Sequence, residues 1–95
     1  MIVELAPEAL EDLHAAIDYL AERNPRAARR LADRVFVAID RLAEGLEGPA
    51  QVLRSGVEVR SWPVRPLRVY YRREADRLIV LRIYHQARRP IAKQR

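Results

Sequence analysis

The chain contains no cysteine, three glycines and a single lysine among its 95 residues. Without thiols there is no disulfide framework, no thiolate metal site and no cysteine nucleophile. Two histidines, His14 and His85, are too few and too far apart in sequence to suggest a metal centre, and no motif anchors a cofactor. No apolar run approaches the roughly 20 residues that a membrane-spanning helix requires. The start, MIVELAPEALEDL, carries acids rather than the basic residues and apolar stretch of an export signal. The expectation is one small cytoplasmic domain with no membrane association. Its 49% hydrophobic and 33% charged residues suffice for a modest core.

What is abundant is arginine, which supplies seventeen of the eighteen basic residues. Residues 1–59 hold seven arginines against eleven acids, a net of −4; residues 60–95 hold eleven basic residues against two acids, a net of +9. A terminal segment so charged points to phosphate-rich or acidic partners, and the planar guanidinium fork suits both. The plain alternative is a solvated face that keeps the protein soluble.

In chain order, Ile2–Leu5 reads as a short strand that ends before Pro7, itself well placed as the first residue of a helix. Leu10, Leu13, Ile17 and Leu20 then recur at helical spacing through Glu22, with Ala6 a weak N-cap. Asn24-Pro25 closes that helix and opens a second over Arg26–Leu46. One apolar row there is Ala28, Leu31, Val35, Ala38 and Leu42, and an adjacent row is Ala32, Phe36, Ile39, Ala43 and Leu46. Gly45 and Gly48-Pro49 end the helix, and the stretch to Gly56 lacks periodicity and reads as a loop. Val57–Trp62 alternates as a strand. Leu67–Arg72 places Leu67, Val69 and Tyr71 on one face. Leu78–His85 places Ile79, Leu81 and Ile83 on one face, after a break around Ala75-Asp76. Residues 89–95 are expected to form a flexible basic tail.

The segments LAPEALEDLHAAIDYLAERNPRAARRLADRV and LRVYYRREADRLIVLRIYHQARRP, in this order, resemble the RelE/ParE superfamily of toxins from bacterial type II toxin–antitoxin systems. The long alanine-rich helical hairpin and the LRIYHQARR ending are most similar to the ParE branch. The resemblance implies an α+β fold: a small antiparallel sheet with the N-terminal helical hairpin packed on one face, in the order β-α-α-β-β-β. It also implies a growth-inhibiting toxin that poisons DNA gyrase and is neutralised by a cognate antitoxin in a hetero-oligomer. The alternative target within the superfamily is the ribosome with its mRNA, cut by a metal-independent endoribonuclease. A non-toxic nucleic-acid-binding module is the third reading.

For the nuclease reading, His85 would move protons while Arg82 and Arg88 hold phosphate. Residues 86–95 lack the tyrosine that RelE-type nucleases tend to place there, so catalysis is not favoured. For target or antitoxin binding the candidates are Arg60, Arg68, Arg72, Arg82, His85 and Arg88. Of these, Arg68, Arg72 and Arg82 are expected to share one exposed basic surface. The competing expectation for each is pairing with a neighbouring acid or shielding of a tyrosine. An acidic, partly disordered antitoxin arm fits such a surface. Tyr70, Tyr71 and Tyr84 are expected to pack and hydrogen-bond, Trp62 either to plug the sheet edge or to anchor a partner, and His14 to be solvated.

Overall fold

The computed structural model describes residues 1–86. Their elements are β1 (Ile2–Leu5), α1 (Pro7–Ala21), α2 (Pro25–Ala43), β2 (Ala50–Val52), β3 (Glu58–Val64), β4 (Leu67–Glu74) and β5 (Arg77–His85). All five strands form one sheet in the order β1-β5-β4-β3-β2. The helical hairpin packs against this α+β sheet as expected, and two features extend the expected topology. β1 runs parallel to β5, from Ile2 opposite Arg77 to Leu5 opposite Val80, so the sheet is mixed. Ala50–Val52, within the stretch read as a loop, pairs antiparallel with β3. Alternation cannot reveal strand direction, and three residues are too few to display a period. The expected tail at 89–95 lies outside the described residues. No helix among the described residues is long and apolar enough to cross a membrane.

The helix ends follow from local chemistry. Ala6 offers no side-chain cap to α1, whereas Asn24 Oδ1 accepts from the Ala27 N–H at 3.1 Å at the start of α2. α2 closes at Gly45, whose φ of 121° only glycine adopts readily. There the Leu46 N–H donates to the Arg41 carbonyl at 3.0 Å and the Gly45 N–H to the Leu42 carbonyl at 3.2 Å. The Arg73 guanidinium adds a charged cap from β4, donating to the Leu42 and Leu46 carbonyls at 2.7 and 2.8 Å.

Leu13, Leu31, Val35, Ile39 and Leu42 from the helices meet Val69, Tyr71, Leu78, Val80 and Ile83 from the sheet in one core. The buried stripe of α1 is centred differently from the bulky residues that suggested it: Ala9 is fully buried and Leu10 is 43% exposed. A methyl side chain lets the helix approach the sheet closely, which spacing of large residues does not register. Phe36, placed by its spacing on the apolar face of α2, is 48% exposed.

On β5 the expected alternation fails for a definite reason. Tyr70 lies opposite Arg82 but Tyr71 lies opposite Val80, so Leu81 is an inserted residue, a β-bulge. The insertion reverses the alternation beyond it. Leu78, Val80 and Ile83 therefore share the core, not Ile79, Leu81 and Ile83.

Gly48 joins α2 to the sheet. Its N–H donates to the buried Tyr71 hydroxyl at 2.9 Å, and its carbonyl accepts from Arg60 Nη1 at 2.8 Å. A Cβ at this position would run into the Ser61 carbonyl. Gly48→Ala is expected to destabilise the fold by about 1–3 kcal/mol, the usual cost of overpacking. Urea denaturation checks this; an unchanged midpoint would contradict the close approach.

Candidate functional site

The site begins where β1 stops. β1 pairs with β5 only as far as Val80, and the Ala6 N–H donates to the Val80 carbonyl at 2.9 Å as the chain turns into α1. Two turns into α1, Asp12 takes over. Its Oδ2 accepts from the Ile83 backbone N–H at 2.9 Å and from Arg82 Nε at 2.9 Å, while Oδ1 accepts from Arg82 Nη2 at 3.0 Å. One carboxylate thus satisfies a strand N–H and grips a guanidinium in two-point geometry. These hydrogen bonds, opposed by desolvation, raise the Arg82 pKa above its ordinary value, so the side chain is a fixed cation and not a proton donor.

Arg82 also stacks on Tyr84, its Cζ 4.6 Å from the ring centroid, and Tyr84 meets Tyr70 edge-on with centroids 5.7 Å apart. Between α1 and the end of β5 lies a groove of about 890 Å³. Ala15, Ala16, Leu20, Leu31, Leu67 and Ile83 give it apolar walls; Asp12, Arg82 and His85 give it polar ones; Tyr19, Pro66 and Tyr84 complete the lining. Tyr19 is 62% exposed and carries the Arg23 guanidinium 3.8 Å above its ring.

Of the residues singled out from sequence, Arg82 and His85 come together in this groove. The others do not join them. Arg60 donates to Gly48 and lies 3.8 Å from Glu58, in a separate cleft of about 340 Å³ that also holds Glu47, Arg72 and Arg73. Arg68 Nη1 donates to the Ser61 hydroxyl at 2.8 Å. Arg72 pairs with Glu74 at 2.7 Å. Arg88 lies outside the described residues. The expected basic surface across Arg68, Arg72 and Arg82 is therefore not formed as an open patch. Each guanidinium has a partner inside the fold, and the bulge at Leu81 leaves Arg82 within reach of α1.

Tyr70 and Tyr71 are buried as packing residues, Trp62 is half-buried against the core, and His14 is exposed. Two residues escaped the sequence reading. Asp12 flanks the buried Leu13 on α1, a weak signal that it faces the sheet. Arg73 looked like part of a polar turn and instead caps α2.

Comparison with known proteins agrees with this architecture. Residues 3–90 match the family model described as the ParE toxin of the type II toxin–antitoxin system, parDE. A solved chain titled "Chromosomal ParDE TA system from P. aeruginosa" is similar with a TM-score of 0.73 at 20% identity, covering 90% of this chain and 95% of that one. That likeness shows a shared fold. Among curated protein sequences there is no significant match.

Asp12→Ala leaves both Arg82 and the Ile83 N–H without their acceptor, and is expected to cost roughly 1.5–3 kcal/mol, the range for hydrogen bonds to charged groups. Chemical denaturation of the single variants and of Asp12→Ala combined with Arg82→Gln should show coupling of about 1 kcal/mol or more. Additive effects would contradict the two-point pair.

Proposed function

The chain belongs to the ParE toxin family of type II toxin–antitoxin systems, and from that premise we propose that it arrests growth by poisoning DNA gyrase. A cognate antitoxin neutralises it by laying an acidic arm in the groove between α1 and β5. The observation that carries the choice of binding over catalysis is the Asp12–Arg82 pair. A phosphate-clamping arginine in a nuclease must present its fork to the substrate, but the Nε–Nη2 edge of this fork is turned onto Asp12. The groove suits a peptide: its apolar walls accept alternate or helically spaced side chains, while polar atoms of Arg82 and His85 along its wall can hydrogen-bond the arm. The arm would gain its binding energy on ordering, as disordered partners do.

The endoribonuclease reading retains one supporting observation, the adjacency of Arg82, Tyr84 and His85 along the groove. A supercoiling reaction with purified gyrase separates the two. The expected result is inhibition with trapped, cleaved DNA, reversed by antitoxin, and a DNA-damage response with intact transcripts in cells. No effect on gyrase at toxin levels that arrest growth, with transcript cleavage lost in His85→Ala, would overturn it in favour of ribosome-dependent cleavage.

A further inference from the structure

The arginines of the sheet are largely engaged within the fold. Arg60, Arg72, Arg73, Arg77 and Arg82 each lie beside a carboxylate, and Arg68 donates to Ser61. The arginines of the first turns of α2 are different. Arg26, Arg30 and Arg34 are exposed, and none has a carboxylate oxygen within 4.0 Å among the described residues. Their spacing of four sets them along one face of the helix, each about 6 Å beyond the last at 1.5 Å rise per residue. Arg34 Nη1 donates to the Arg65 carbonyl at 2.9 Å, which brings exposed Arg65 to the end of the row.

This row works against the helix that carries it. Like charges at a spacing of four repel, and cations in the first turns, where α2 has no acid, oppose the macrodipole. An external anion would remove both penalties. The exposed apolar residues of α2, Phe36 and Val37, lie beyond the row toward the C-terminus, so within it the recognition on offer is ionic. A peptide interface relies on buried aromatic or aliphatic anchors, whereas a nucleic-acid backbone is held by repeated guanidinium–phosphate contacts.

We infer that Arg26, Arg30, Arg34 and Arg65 form a ridge that docks on the phosphate backbone of duplex DNA, independently of sequence. The choice of DNA rests on the gyrase reading, whose target holds a duplex; the ridge itself does not. The ridge would fix the toxin against DNA while another surface engages the enzyme.

The test is fluorescence anisotropy of the full chain on a labelled 30-base-pair duplex between 50 and 200 mM NaCl. Wild type should show a log–log salt slope of about −3 to −4, as expected for three or four phosphate contacts. Arg30→Glu places an acid between Arg26 and Arg34. It should preserve or raise the melting temperature, lower affinity at least tenfold and flatten the slope. Arg54→Glu, on an exposed loop and equal in charge change, should alter affinity less than threefold. Equal weakening by both variants would overturn the ridge in favour of net charge alone. Tighter binding of double-stranded RNA of the same length, or of polyglutamate, would overturn duplex DNA as the occupant. Gyrase trapping by Arg30→Glu at wild-type levels would refute the role in docking while leaving the gyrase reading standing. Duplex binding by a wild-type protein that leaves gyrase unaffected would do the reverse.

Discussion

The carboxylate of Asp12 is the constraint on which the functional end of the molecule depends. β5 is flanked by β1 only to Val80, and beyond that point its register is displaced by the bulge at Leu81. A strand there needs an acceptor for its N–H and a reason to stay beside the helix. Asp12 supplies both, binding the Ile83 amide and the Arg82 fork with one side chain. With 17% of its side chain exposed, the carboxylate is shielded enough for these bonds to matter more than a surface ion pair would. The groove exists because this clamp holds α1 at a fixed distance from Ile83 and His85 while small residues, Ala15 and Ala16, leave space between them.

How much of this was legible in the sequence depended on the range of the interactions involved. The helical hairpin was readable because its signals are local: Asn24 caps α2 from three residues away, Pro25 occupies the first helical position, and Gly45 closes the helix. The hairpin of β4 and β5 was readable from alternation, down to a turn at Ala75, which carries a positive φ of 31° without being glycine. The bulge was not, since a period of two carries no mark of the residue at which it resets. Nor was β2, which is a strand only because β3 lies beside it.

The same distinction governs the arginines. Counting charge along the chain placed the basic character in the last third, and that count is correct. Yet Arg77 is drawn to Glu4, Arg82 to Asp12 and Arg73 to the end of α2, all partners far away in sequence. Folding therefore uses the charge of the sheet for its own cohesion and leaves uncompensated arginines on α2, in the half of the chain whose net charge is negative. Only the three-dimensional pairing decides which cations remain to meet a partner. Of the residues expected to act, Arg82 and His85 share the groove, whereas Arg60, Arg68 and Arg72 serve other contacts.

A toxin built this way keeps two surfaces apart: a groove of mixed polarity beside β5, suited to a folding peptide arm, and a ridge of arginines on α2. Its family membership supplies the antitoxin, and the clamp at Asp12 keeps the groove preformed for the arm that we propose to enter it. The most direct measurement is amide hydrogen exchange across the toxin with and without its antitoxin. With an arm in the groove, protection is expected to rise most at Ala15–Leu20 and Arg82–His85, the two walls of the groove. Protection confined to α2 or to β2 and β3, with those two segments unchanged, would contradict it.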